Sequence, residues 1–341
     1  MIRTGNHTVK TAIAALVLGI LSTSNAAIAG EGTWYADFDK AAAVAKEQGK
    51  DLFVDFTGSD WCGWCKRLDA EVFSHEEFLN AATKKFVLVA LDFPRDEAVK
   101  AKVPNPDRNA ELSEKYEVQG FPTILLMTPE GEVFGQTGYR PDGPVPYVAH
   151  LEEITAKGKA AMVEVPKAVA AFSGAEGEAK VAAWENVVAL LVSMKESPFA
   201  EKLVEPTRWA IGFDADNTKG MKKRAVKALL ESGFANDDEL AAAELLDPKN
   251  EAGMLEMVVS AKFERVEDDE TALEALAMLD KVVATGFKDK ERGFALTFMA
   301  AMWSNGPLKD GERAKKYAAA AKAIGSDDQP RLDALDELLK G

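Results

Sequence analysis

An α/β domain followed by an all-α domain is the fold class that this 341-residue sequence predicts. Three observations carry it. Short apolar runs of strand length alternate with helically spaced stretches up to about residue 158. Beyond that point strand-like runs vanish and alanine-rich amphipathic stretches take over. The only two cysteines, Cys62 and Cys65, stand on a turn between one such strand and one such helix.

Residues 1–29 carry Arg3 and Lys10, an apolar run from Ala12 to Leu21, and small residues ending in Ala27-Ile28-Ala29. That is the pattern of a secretory signal peptide. The run is shorter than the roughly 20 apolar residues a membrane span needs, and no cysteine near the cleavage point offers a lipid anchor. The mature chain is therefore expected to be periplasmic or secreted, with no membrane insertion after cleavage. Residues 30–158 are expected to form the α/β domain and 159–341 the helical one.

Trp34 to Gln48 reads as a first helix, with Phe38, Ala41, Ala42 and Ala45 as its apolar stripe and Gly49 as its stop. Leu52 to Phe56 reads as a buried strand, and Lys66 to Phe73 as the helix after the cysteines. Ser74 is placed as the N-cap of a short helix toward Thr83. Phe86 to Leu91 is a second buried strand, and Asp92 to Arg108, with three prolines, a loop or broken helix. A helix from Asn109 to Tyr116 precedes a strand from Pro122 to Met127. The turn Pro129-Glu130-Gly131-Glu132 then leads into Val133-Phe134-Gly135, completing a hairpin. Tyr147 to Ile154 closes the domain.

A strand-to-helix turn puts Cys62 near a helix N-terminus, where unpaired N–H groups and the helix dipole stabilise a thiolate. Lys66 adds a nearby positive charge. Such surroundings lower a thiol pKa from about 8.5 to about 3.5–7.5, and the spacing suits disulfide closure. A redox dithiol is the first reading. Half a zinc site is a second, but no His-x-x-x-His or second cysteine pair supplies the other half. A Cu(I) site of two thiolates stays open, although no methionine lies between Met1 and Met127. A structural disulfide would close almost no loop and remove little chain entropy. No cofactor motif is read.

The run Trp61-Cys62-Gly63-Trp64-Cys65-Lys66, the strand ending in Val54-Asp55-Phe56 and the downstream Gly120-Phe121-Pro122-Thr123 resemble the thioredoxin superfamily. Within it the chain is most similar to the secreted bacterial branch with a Thr-Gly-Ser-Asp-Trp-Cys lead-in, here Thr57 to Cys62. The resemblance covers about residues 34 to 155. It implies a β-α-β-α-β-β-α order around a central mixed sheet flanked by helices. It also implies a cis Phe121–Pro122 bond facing the cysteines, with the Phe121 backbone pairing with an extended substrate strand. Trp61 and Trp64 would then form the apolar contact surface around Cys62. In the superfamily a strand carboxylate helps deprotonate the second cysteine. Asp55 holds that strand position, but one extra residue at Gly58-Ser59 separates it from Cys62 relative to most members. Asp60 is its rival, and Asp55 is favoured.

Beyond residue 158, helices are read at Ala179–Leu191, Met221–Ser232, Asp238–Leu245, Asn250–Phe263, Thr271–Thr285, Glu291–Ser304 and Gly311–Ile324. Leu245 to Asn250 resembles the inter-repeat turn of tetratricopeptide-like arrays, yet no clean period of about 34 residues is found. The domain is read as helical hairpins with no catalytic constellation.

The net charge of −15 argues against nucleic acid and anionic membranes as partners. The expected function is an exported thiol–disulfide oxidoreductase using the Cys62–Cys65 dithiol, reducing disulfides in extracytoplasmic proteins. Its partners would be a disulfide-containing protein substrate and an upstream redox protein. The Gly63-Trp64 dipeptide matches neither a reductant nor an oxidant pattern, so direction stays open. A disulfide isomerase, or a partner-binding or Cu(I)-handling protein on the same scaffold, are the alternatives.

Overall fold

The computed structural model describes residues 34–340; the expected signal peptide at 1–29 lies outside them. The α/β part runs α1 (Phe38–Gln48), β1 (Asp51–Thr57), α2 (Gly63–Leu68), α3 (Glu76–Lys85), β2 (Phe86–Asp92), α4 (Glu97–Lys100), α5 (Pro106–Lys115), β3 (Thr123–Met127) and β4 (Val133–Thr137). Helices then follow as α6 (Pro144–Gly174), α7 (Gly177–Ser193), α8 (Val204–Phe213), α9 (Met221–Glu231), α10 (Asp237–Leu246), α11 (Met254–Glu264), α12 (Asp269–Thr285), α13 (Lys290–Asn305), α14 (Gly311–Ile324) and α15 (Gln329–Lys340). Among the described residues no helix is long and apolar enough to cross a membrane.

The strands form one mixed sheet in the order β2-β1-β3-β4. β1 pairs parallel with β2 and antiparallel with β3. Because side chains alternate across a strand, β1 serves both faces. Leu52, Val54 and Phe56 pack with α1 and Leu112 of α5, whereas Phe53 joins Leu68, Val72, Phe73 and Phe78 on the opposite face. Asp55 shares the Phe53 face, under the helix that carries the cysteines. The sheet and the helical part are continuous through that second core, which runs from Phe53 through Trp184 and Val258 to Leu335.

Local chemistry moved several expected boundaries. α1 begins at Phe38, because the Asp37 carboxylate caps the Lys40 N–H at 3.0 Å. Trp34 and Tyr35 lie ahead of it, with Tyr35 bridged in parallel to Val89 of β2. Ser74 is not an N-cap: it ends a π-helical turn over Asp69–Phe73, and His75 stands at the cap of α3. α5 starts three residues before Asn109, with Pro106 in its first turn, where a missing N–H costs nothing. Pro122 sits just ahead of β3 rather than within it.

The expected closing helix is part of α6, which runs unbroken across residues 158 and 159. This helix lies so close to β4 that a Cβ on Gly158 would fall 1.9 Å from the Phe134 carbonyl oxygen. Only glycine permits that approach. Lys159 clamps the crossing, its Nζ 2.7 Å from Asp51 Oδ1 and 4.2 Å from the Phe134 ring centroid.

α11 begins at Met254, not Asn250, because the preceding residues form a turn that the chain uses twice. Asp214-Ala215-Asp216-Asn217-Thr218-Lys219-Gly220-Met221 and Asp247-Pro248-Lys249-Asn250-Glu251-Ala252-Gly253-Met254 share one pattern, 33 residues apart. Each aspartate accepts from the first N–H of the next helix, Met221 at 2.8 Å and Met254 at 3.1 Å. Each asparagine and each glycine adopts left-handed backbone, at φ 56° and 55° for Asn217 and Asn250 and 71° and 72° for Gly220 and Gly253. The turns are also linked along the stack. Lys223 reaches Asp247 at 3.3 Å, and the buried Glu256 accepts from the N–H groups of Lys288 and Asp289.

Gly158→Ala is therefore expected to destabilise the chain by about 1–3 kcal/mol, read as a lowered thermal midpoint. Gly212→Ala in α8, where the added methyl meets nothing within 4 Å, is expected to be neutral or slightly stabilising. Equal effects of the two would contradict the close α6–β4 contact.

Candidate active site

β1 ends at Thr57 and the chain turns through Gly58 to Trp61 into α2. Cys62 is the N-cap of α2, and its Sγ accepts from the Cys65 N–H at 3.1 Å. That donor and the dipole of α2 favour negative charge on Cys62 when the pair is reduced. Here the two cysteines are joined by a disulfide, with Cα atoms 5.3 Å apart. Both are buried, Cys62 at 5% and Cys65 at 6% exposure. Among the described residues, no group of three or more His, Cys, Asp or Glu is placed to hold a metal ion.

Asp55 and Cys65 line one cavity of about 230 Å³, together with Trp34, Thr57, Ser59, Lys66, Asp69, Phe73 and Ala90. With the extra residue before Cys62, the strand carboxyl still lines the same cavity as the second cysteine. Asp55 is almost wholly buried, and its Oδ1 has no hydrogen-bond partner. Burial pushes its carboxyl up to about 8, helped by the charges of Asp69 and Asp92. Lys66 lines the same cavity, with its Nζ donating to the Asp60 carbonyl at 2.6 Å.

The rival, Asp60, is placed differently. Its half-buried carboxylate accepts the N–H groups of Asp96 at 2.6 Å and Arg95 at 3.0 Å, and these bonds hold it below its ordinary pKa. It fastens a loop. The same loop is fixed at three further points. Ser59 donates through Oγ and N to Asp92 at 2.6 and 2.8 Å, Trp61 Nε1 donates to the Phe93 carbonyl at 2.8 Å, and Phe93 N–H donates to Thr57 O at 2.8 Å. Gly58 fits under the Trp61 indole, where a Cβ would lie 2.6 Å from the ring.

Two tryptophans flank the disulfide. Trp61, 37% exposed, lies between the Arg95 guanidinium at 3.9 Å and the Phe121 ring at 5.8 Å. Trp64, 55% exposed, packs on Tyr139 at 4.9 Å, with Arg67 beside both rings. Tyr139 donates to Glu71 at 2.8 Å, and Arg67 pairs with the same carboxylate at 2.6 Å. The Phe121–Pro122 peptide is cis. Among the described residues, neither the N–H nor the carbonyl of Phe121 makes a backbone hydrogen bond.

Sequence reasoning missed Trp34 as a cavity wall, the Asp92–Asp96 segment as the anchor of the cysteine loop, and the Arg67–Glu71–Tyr139 cluster. The Asp92 to Arg108 stretch reads as loop because its prolines and charges hide the tertiary bonds of its first residues. An aspartate closing a buried strand, as Asp92 does, was the available signal.

Residues 33–129 match the family model described as Thioredoxin-like. The chain is 31% identical over 127 residues to the disulfide bond reductase DsbH of Chlamydia pneumoniae, which spans 37% of this chain and 74% of that protein. The chain belongs to the thioredoxin-like family. A further member, the thiol:disulfide interchange protein DsbD 2 of Pseudomonas aeruginosa, is 32% identical over 97 residues, 28% of this chain and 15% of that protein. A solved DsbH oxidoreductase is 28% identical and aligns with a TM-score of 0.33 over 39% of this chain and 91% of its own. These thioredoxin-like relatives are thiol–disulfide exchange proteins by name, and the family match stops well before α6.

The Asp55 carboxyl holds its proton more tightly folded, at about 8, than at its ordinary 3.8. Its contribution to stability is thus fully present below about pH 4 and is lost as pH rises through 8. Asp55→Asn is expected to flatten that loss and to be the more stable protein at pH 9, by on the order of a few kcal/mol. Denaturant unfolding at pH 5 and pH 9 checks it; identical pH dependence in both proteins would contradict the placement of Asp55.

Proposed function

We propose that this chain is an exported thiol–disulfide oxidoreductase that reduces disulfides in extracytoplasmic proteins. The observation that carries the reading is the shared cavity of Asp55 and Cys65. A merely structural disulfide has no use for a protonatable carboxyl beside its buried sulfur.

In the reduced protein the Cys62 thiolate attacks a substrate disulfide. One substrate sulfur leaves as a thiolate and takes a proton from solvent, and the other stays joined to Cys62. In the fraction of molecules whose Asp55 is ionised, Cys65 then passes its proton to the Asp55 carboxylate and attacks the Cys62 sulfur, expelling the second substrate thiolate. Two electrons reach the substrate and the Cys62–Cys65 disulfide remains. A partner dithiol must restore it. The Lys66 ammonium, held beside the cavity by Asp60, favours the thiolate on electrostatic grounds.

Substrate docking is assigned to the Phe121 backbone next to Pro122, where an extended strand finds a free donor and acceptor. Trp61 and Trp64 supply the apolar contact on either side of Cys62. The reductive direction draws support from the name of the DsbH relative, and export from the leader-like residues 1–29. The helices after residue 158 are assigned to positioning a partner protein.

Cys62→Ser is expected to abolish exchange, and Cys65→Ser to accumulate mixed disulfides with substrate proteins in the native compartment. Asp55→Asn is expected to slow release from the mixed disulfide by roughly 10²-fold at pH 7 while sparing the first attack. Rapid-quench analysis of the two steps measures both. Absence of trapped species with Cys65→Ser would remove the turnover reading; release at the wild-type rate in Asp55→Asn would remove the proton-acceptor role.

A further inference from the structure

We propose that Trp34 is a positioning residue of the exchange site: its indole walls the cavity that Asp55 and Cys65 share and keeps bulk water from the Asp55 carboxyl. Trp34 lies 21 residues before Asp55 in the chain and outside the Cys-x-x-Cys motif, yet it lines that cavity directly. Two features of the sheet bring it there. Tyr35 is bonded to β2 on both sides of Val89, its N–H donating to Leu88 O and its carbonyl accepting from Ala90 N, each at 2.8 Å. Ala90 is the register partner of Asp55 and itself lines the cavity. Its methyl leaves space beside the carboxyl that a larger residue on β2 would fill.

The indole is fixed by aromatic packing. It lies 5.7 Å from the ring of Phe53, 5.2 Å from Phe73 and 6.4 Å from Phe78. Phe53 stands two residues before Asp55 on the same face of β1, and Phe73 also lines the cavity. The apolar lining of the cavity is thus Trp34, Phe73 and Ala90, beside the polar residues Thr57, Ser59, Lys66 and Asp69. An indole from a separate segment is the part of that lining a substitution can change without altering any residue of β1 or α2.

Burial is the leading cause of the raised proton affinity of Asp55. The charged and titratable groups around it are Asp69 after α2, Asp92 at the end of β2, Lys66 on α2 and the Tyr147 phenol on α6. None belongs to the Trp34 segment, so replacing Trp34 changes the hydration of Asp55 and leaves those charges in place. The inference deepens the proton-acceptor reading of Asp55 given above, but its test reads the carboxyl itself.

The experiment is an infrared pH titration of the oxidised full chain, following the protonated-carboxyl band that disappears in Asp55→Asn. Wild type is expected to titrate near pH 8. Trp34→Ala is expected to titrate at least about one pH unit lower, because water then reaches the carboxyl. Trp34→Phe should stay near wild type. If Trp34→Ala does not fold, Trp34→Leu replaces it, with a downward shift again expected. An unmoved midpoint in the folded small-residue variant would overturn the proposal. A lowered midpoint with an unchanged release rate would keep this inference and instead remove Asp55 as proton acceptor.

Discussion

A single carboxyl without a cationic partner, held under the active-site helix, is the constraint that the redox end of this protein depends on. Leaving Asp55 Oδ1 buried and unpaired is expensive for a charged group, so the group keeps its proton instead. Its proton affinity, near 8, then lies close to that of a free thiol at about 8.5. A proton moves between two groups so matched at little cost. Asp60 shows the opposite solution a few residues away. With two backbone N–H groups on it, it is held below the ordinary carboxylate range and is too weak a base for a thiol.

Keeping that cavity in register demands a rigid cysteine loop, and its rigidity comes from the segment after β2. Ser59, Asp60 and Trp61 are each bonded to a different point between Asp92 and Asp96. β1 keeps Asp55 in the lining of the cavity that Cys65 shares. Behind the sheet, α6 supplies Tyr147 and Leu151 to the core under the active site. The same helix carries Ala161, Val165 and Ala168 into the helical part. Gly158 marks the point of closest approach, and the two parts share one continuous core instead of a solvated linker.

β1 and β2 were legible because each holds a run of mostly apolar residues, and Leu52–Phe56 and Phe86–Leu91 fall within them. Cys62, Cys65 and Pro122 were legible because their chemistry is local to a motif. The length of α6 was not, since Pro146, Gly158 and Pro166 interrupt its helical pattern, and its packing on β4 at Gly158 is a tertiary contact that no local pattern shows. α8 was passed over for a similar reason, with Pro206 in its first turns and Gly212 near its end. The 33-residue turn was visible in the letters but not in the apolar periodicity, because its signal lies in Asp, Asn and Gly. Trp34 was assigned to a helix. Its place in the cavity depends on a bridge to β2 that no local pattern encodes.

Titrating the Cys62–Cys65 pair against glutathione and dithiothreitol to obtain its equilibrium reduction potential is the most direct test of this protein as a reductant. The account predicts a value near that of thioredoxin, about −270 mV. A value near about −120 mV would make the pair a disulfide donor and contradict the proposed direction. A pair with no reversible two-electron exchange would contradict the redox reading altogether.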